Sequence, residues 1–280
     1  MDPRETPSNG RVAHVSLEGK VEAERFVEGT TRRVGWPPCA KLWRSPGGAK
    51  DREVLFGEAF RVLETRQGFA YGIAERDGYV GYLEAHTLTD LPTEPTHRVA
   101  VRLTYGLAEP DVKTKGEHLP LSYDSPVLVT AQREDWCEID TGTNHRHVPS
   151  RHLRPAAELA SDPASVAELF LHAPYVWGGN TSFGIDCSGL AQTALLACGI
   201  ASPGDSDLQE KAVGRAVPPE APLQRNDLVF WKGHVAIAVD MESVIHANAH
   251  HMAVVVEPLE VARARIEASG GGGVTSVRRP

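Results

Sequence analysis

Through roughly the first 155 residues, short apolar runs alternate with polar positions and are broken at close intervals by Gly, Pro, Asp and Asn, the pattern of half-buried strands joined by tight turns. The clearest runs are Val54–Phe56, Phe60–Leu63, Phe69–Ile73 and Tyr79–Leu83, followed by a second set at Val99–Leu103, Val127–Ala131 and Trp136–Ile139. From Ser161 the texture changes. Ser161-Asp162-Pro163 is a helix start, with Pro soon after a capping residue, and Val166, Leu169 and Phe170 follow at helical spacing. A Gly-rich loop leads to a second helix, and after Asp227 strands are predicted at Leu228–Trp231, Val235–Val239, Val244–His246 and Val254–Val256. Helices followed by an antiparallel sheet define an α+β domain. The closing Gly270–Gly273 and Arg278-Arg279 read as a flexible end.

The two sets of strands share a loose order of strand, Pro- or Gly-bearing loop, hairpin, aromatic-flanked strand and short final strand. In the first, Gly57-Glu58 precedes Phe60–Leu63 and Asp77–Tyr82 closes the unit; in the second the counterparts are Val127–Val129, Asp135–Ile139 and His147–Pro149. This order resembles paired bacterial SH3 domains, two small barrels of about sixty residues each. The expected organisation is an N-terminal extension (1–28), a first SH3-like barrel (29–92), a second (93–157) and the α+β domain (158–280).

Charge removes some functions. Lys and Arg number 29 against 37 Asp and Glu, a net charge of −8 with no long run of either sign, so no nucleic-acid partner is expected. No stretch approaches the roughly twenty apolar residues that span a bilayer, so no membrane partner is expected either. The polar start, Met1-Asp2-Pro3-Arg4-Glu5-Thr6-Pro7, offers no apolar export segment, and a cytoplasmic location is the expectation. The four cysteines, Cys39, Cys137, Cys187 and Cys198, are scattered without a CxxC pair, which argues for reduced thiols rather than a disulfide framework or zinc knuckle. His246, His250 and His251 lack a carboxylate or Cys at ligand spacing, so neither a metal nor another cofactor is expected.

The chemistry concentrates in Tyr175–Leu190, a Gly-rich loop running directly into a helix. Asp186 can cap that helix, placing Cys187 in its first turn, where unpaired N–H groups and the positive end of the dipole favour a thiolate. Leu190, Ala191, Ala194, Leu195 and Cys198 continue one stripe from Cys187, and Gly199 ends the helix. Cys198 lies about 16 Å along the axis, beyond disulfide reach. A cysteine alone reads more often as a small packing residue than as a nucleophile, and the histidines decide. His234 opens one strand, His246 lies in the next, and a turn about residue 240 would set them directly opposite on one face. A nucleophile at a helix start, a base on a strand and an orienting imidazole beside it meet the needs of covalent acyl transfer.

The segments Asp186-Cys187-Ser188-Gly189, Gly233-His234-Val235 and Ile245-His246-Ala247, in this order within roughly Ala164 to Glu257, resemble the three active-site segments of NlpC/P60 cysteine peptidases. The resemblance implies a papain-like fold, with Cys187 as nucleophile, His234 as base, His246 as orienter and Tyr175 as a hydroxyl near the thiol. Trp177 is either packing beneath the loop or part of the substrate site. Relatives with paired SH3 domains bind the free α-amine of an N-terminal L-alanine through positions matching Asp186, Ser188 and Asp205, although the Arg usual before that last Asp is Gly204 here. Asp186 also serves as a plain cap, and Asp205 reads equally as a solvated loop residue. Glu53 and Tyr82 are the first barrel's candidate contributors. The implied reaction is hydrolysis of the γ-D-glutamyl–diamino acid bond of murein tri- and tetrapeptides during wall-peptide recycling. The rivals are a Cys/His amidase or acyltransferase of other specificity and a non-catalytic peptide binder.

Overall fold

The computed structural model describes residues 1–90 and 93–280, and the chain divides into two units, Met1–Glu158 and Leu159–Pro280. The barrel boundary expected at residues 92–93 falls on the edge of the undescribed pair.

In the first unit, seven strands pair in the spatial order Lys50–Leu55, Cys39–Trp43, Val80–Glu84, Phe69–Ala74, Ala59–Arg66, Thr30–Val34 and Leu88–Thr89. Their core holds Val34, Leu42, Phe60 and Leu83, all essentially inaccessible. Five further strands form a second sheet, in the order His145–Pro149, Trp136–Asp140, Pro126–Arg133, His97–Val99 and Leu153–Pro155. That sheet closes over Phe56, Val99, Leu121, Val127 and Ile139.

One device recurs in both sheets. A bulged strand opens a three-strand meander, a single 3-10 turn follows, and a short last strand returns to pair with the first. The returning pairs are Arg33 with Thr89 and Val99 with Leu153. The run expected at Val99–Leu103 is instead broken, because Leu103–Gly106 leaves to pair with Leu119–Ser122. The N-terminal segment is packed, not loose: Val12 is fully buried and Val12–His14 pairs in parallel with Arg25–Val27.

The second unit contains helices α1 (Pro163–Glu168), α2 (Cys187–Ala197), α3 (Ser206–Ala212) and α4 (Leu259–Ala268). Its strands are β1 (Arg215–Ala216), β2 (Leu228–Trp231), β3 (His234–Ala238), β4 (Ser243–Asn248), β5 (Ala253–Pro258) and β6 (Ser276–Arg279). They lie side by side as β1-β6-β2-β3-β4-β5. Two sequence expectations change here. The chain end is not flexible, since β6 is an interior strand: it pairs with β1 and β2, and Arg279 makes two 2.7 Å contacts with the wholly buried Asp227. Helix α2 buries far more than one stripe. From Cys187 to Leu195 every residue is buried, Gln192 and Thr193 included, because α1 packs on the helix and the sheet lies against it. The end of α2 is set by Gly199 at φ +75°. Gly199 N–H bonds Leu196 O and Ile200 N–H bonds Leu195 O, the paired bonds of a left-handed C-cap.

Candidate active site

The loop ahead of the nucleophile folds onto itself before α2 begins. Tyr175 bridges Ile185, and Asn180–Thr181 pairs with Gly184–Ile185. Glycine is required where this loop presses on the helix start, since a Cβ on Gly189 would lie 2.5 Å from Gly179 O. Asp186 then joins loop and helix. One carboxylate oxygen accepts from Gly189 N at 2.7 Å and Ser188 Oγ at 2.9 Å, and the other accepts from Gly178 N at 2.8 Å. The cap satisfies one orphan donor of the first turn and ties down the preceding loop.

Cys187, the first residue of α2, is 8% exposed. Its sulfur meets the backbone N–H groups of Val235, Ser188 and Cys187 itself, all of which favour a thiolate. Burial outweighs them and, with the charge of Asp186 beside it, pushes the thiol up to about 12. Burial thus opposes the thiolate that the helix start and these amides favour. The hydroxyl of half-buried Tyr175 is raised by burial first and then by the charges of Cys187 and Asp186.

The strands supply the base. His234 starts β3 next to Val235, whose N–H reaches the sulfur, and His234 Nε2 lies 2.8 Å from His246 Nδ1 on β4. The β3–β4 hairpin pairs Ile237 with Ile245 and Ala238 with Val244, a register displaced from that of a turn about residue 240. His234 and His246 are thus diagonal neighbours rather than directly opposed. They keep the same face because the offset is an even number of residues. The turn itself decides this: Asp240 Oδ1 accepts from Glu242 N at 2.8 Å and Ser243 N at 2.7 Å.

Residues 172–264 match the NlpC/P60 family, and residues 42–88 match the family described as the bacterial dipeptidyl-peptidase Sh3 domain. The first segment spans Cys187, His234 and His246. The chain carries an NlpC/P60 domain. Among similar proteins, the gamma-D-glutamyl-L-lysine dipeptidyl-peptidase of Bacillus cereus is 28% identical over 253 residues, covering 78% of this chain and 73% of its own. Dipeptidyl-peptidase 6 of Lysinibacillus sphaericus is 25% identical over 219 residues, covering 70% of this chain and 79% of its own. The crystal structure of an NlpC/P60 protein from Bacillus cereus shares the fold, with a TM-score of 0.74 at 20% identity over 89% of this chain and 99% of that one. The matched segment marks a cysteine-peptidase domain within the second unit.

Within the NlpC/P60 domain, two residues of the site carried no sequence signal. His246 Nε2 lies 2.7 Å from Glu257 Oε1, and Arg265 Nη2 contacts the same oxygen. Glu257 is on β5, which pairs His246 with Val255, so the carboxylate is again a diagonal neighbour. Arg265 reaches it from α4. Burial opposes the Glu257 charge, but the hydrogen bond from His246 and the Arg265 guanidinium outweigh it and hold the carboxyl at about 2. His234 is held down at about 3, first by burial and then by the charges of His246 and Arg265. His246 is also lowered by burial, with Glu257 pulling the other way.

The remaining expected residues are scattered. Ser188 is buried beneath the cap, its carbonyl bonded by Gln209 Nε2 at 2.9 Å. Asp205 is the residue before α3. Trp177 is 72% exposed, which rules out packing beneath the loop. His250 and His251 stack edge to face at 4.7 Å in the β4–β5 turn. Glu53 and Tyr82 belong to the first unit, where Glu53 pairs with Lys50 at 3.0 Å and Tyr82 packs on Tyr71 at 4.8 Å between ring centroids.

Proposed function

We propose that the protein hydrolyses the γ-D-glutamyl–diamino acid bond of murein peptides bearing a free N-terminal L-alanine, and that it does so in wall-peptide recycling within the cytoplasm. The observation that carries the reading is the sulfur of Cys187 held at the N–H of Val235, the residue after His234, whose imidazole lies 2.8 Å from that of His246 between ring nitrogens. The relatives named for γ-D-glutamyl-L-lysine hydrolysis support the substrate class. In this mechanism the Cys187 sulfur attacks the γ-carbonyl carbon as its proton passes to His234 Nδ1, the ring nitrogen not engaged by His246. The oxyanion takes hydrogen bonds from Cys187 N–H and the Tyr175 hydroxyl. His234 then protonates the departing α-amine of the diamino acid, leaving a thioester. Water, deprotonated by the same imidazole, releases the L-Ala-γ-D-Glu acid and restores the thiol.

The amine-binding role belongs in this proposal to Asp186, Ser188 and Asp205, with Trp177 as an exposed platform for substrate. Asp186 already holds three donors, so an ammonium would add to a saturated cap through its remaining lone pairs. The recurrent meander, 3-10 turn and returning strand support the second SH3-like barrel expected at 93–157, in addition to the one matched at 42–88. The test is kcat/KM on L-Ala-γ-D-Glu-L-Lys and its diaminopimelate counterpart, each against its N-acetyl form, with purified sacculi as a separate substrate. A free amine should raise kcat/KM by about a hundredfold or more, since a carboxylate that loses its ionic partner costs several kcal/mol. Equal rates on free and acetylated peptides, or fragments released from sacculi, would overturn the amine requirement and the recycling setting.

A further inference from the structure

The hydrogen bonds between the two active-site histidines and Glu257 form a chain whose proton direction is fixed from one end only. Glu257 Oε1 accepts from Arg265 and stands 2.7 Å from His246 Nε2. An ionised carboxylate can only accept, so His246 must carry its proton on Nε2. A neutral His246 then has a bare Nδ1, and the 2.8 Å contact with His234 Nε2 becomes a bond that His234 donates. A neutral His234 that donates from Nε2 has a bare Nδ1, the atom needed to take the proton of Cys187. The reverse chain would set a bare Nε2 of His246 against a carboxylate, two acceptors at 2.7 Å, with nothing between them.

We infer that Glu257, braced by Arg265, is a positioning residue for the reaction: it sets the tautomers of both histidines so that His234 Nδ1 always faces the thiol as a base. Glu257 touches neither sulfur nor substrate. The contacts support this beyond geometry alone, because Glu257 is 8% exposed and His246 1%, so water cannot reassign the protons freely. The charges facing the pair are few. His234 feels His246, Arg265 and Glu257, while His246 feels Glu257, Arg265 and His251; Asp186 and Tyr175 act on the sulfur side. Glu257 favours the protonated base and Arg265 disfavours it. The two residues therefore hold the same structure while pulling the base in opposite directions.

That opposition supplies the test, which rests on Cys187 and His234 being the nucleophile and base but needs no peptide substrate. The full-length protein is alkylated with iodoacetamide across pH, and modification at Cys187 is followed by mass spectrometry in wild type, Glu257→Gln and Arg265→Gln. Glu257→Gln should slow Cys187 alkylation at pH 7 by about tenfold, as expected for a base weakened by one unit, and move the rise to lower pH. Arg265→Gln should speed it. In ¹⁵N spectra the wild-type His234 should carry its proton on Nε2, and Glu257→Gln should admit the other tautomer. Slowing in both variants, or no change in either, would reduce Glu257 and Arg265 to packing and overturn the inference. Should Glu257→Gln not fold, the sign of the Arg265→Gln effect decides alone, since loss of packing slows modification and loss of the opposing charge speeds it. If alkylation follows these signs while no γ-glutamyl peptide is cleaved, the substrate assignment fails and the proton chain stands.

Discussion

The two halves of the active site are built on opposite principles. On the loop and helix side, every important bond is local: Asp186 reaches Gly178, Ser188 and Gly189, and Tyr175 bridges Ile185. On the strand side nothing is local, since the chain from His234 through His246 and Glu257 to Arg265 crosses three strands and a helix. The nucleophile is thus fixed by backbone amides that no side-chain change removes. The base is fixed by side chains that act only in series. Damage to the first side should show mainly as lost stability, and damage to the second as lost turnover, with the nucleophile itself as the extreme.

The largest effect expected is that of Cys187→Ala, which should lower kcat by roughly 10⁴-fold or more because the covalent route vanishes, with only a modest fall in melting temperature as the Val235 N–H loses its sulfur acceptor. Cys198→Ala, at the far end of α2, should keep full activity. Turnover above trace in Cys187→Ala, measured with freshly purified protein, would remove the thioester mechanism.

His246→Ala comes next. Loss of this imidazole leaves His234 Nε2 without its acceptor and Glu257 without its 2.7 Å partner, so kcat should fall about 10²- to 10⁴-fold while KM holds. A matching rise in KM would mean that His246 shapes the pocket rather than the base.

This contrast also explains what the sequence could and could not announce. The helix start was legible because capping, first-turn placement and Gly-rich approach are short-range rules, and Asp186, Cys187 and Gly189 obey all of them. The hairpin was legible to the correct face but not to the correct register, because the Asx turn at Asp240 shifts the pairing by an even step that alternation cannot detect. Glu257 and Arg265 carried no signal in the sequence, and only the packing of α4 beside β5 brings them to His246. The last strand stayed hidden for a related reason. Gly270–Gly273 has the composition of a tail, yet Val277 and Arg279 return to the sheet alongside β2, where Asp227 needs a cation.

On the loop side the comparison sharpens with Asp186→Ala. Losing an N-cap costs about 1–2 kcal/mol, and here the same change also strands Gly178 N–H, so the upper end of that range is expected. The melting temperature should drop while Cys187, still held by Val235 N–H, retains part of its alkylation rate. An unchanged melting temperature would show that the cap contributes nothing beyond its charge.

The smallest effect separates the two sides by pH. His234 is held at about 3 and His246 below its ordinary value, both by burial first, so the folded protein keeps them neutral while the unfolded chain takes protons near 6.5. The unfolded state then binds more protons as pH falls, so stability is unaffected above about 6.5 and declines below it, by at most about 1.4 kcal/mol per pH unit for each histidine, until the folded pair titrates. Glu257, held at about 2, adds stability above its ordinary 4.5 that is lost between there and 2, in the same direction but lower in pH. His97 and His152 of the first unit are lowered too, so the difference between proteins is what counts. Denaturant melts of wild type and a His234→Gln, His246→Gln double variant, at pH 7, 6 and 5, should show the wild type losing stability faster as the solution is acidified. Parallel curves would mean that neither imidazole is held neutral by the fold, and with that the bare Nδ1 required of the base would lose its physical support.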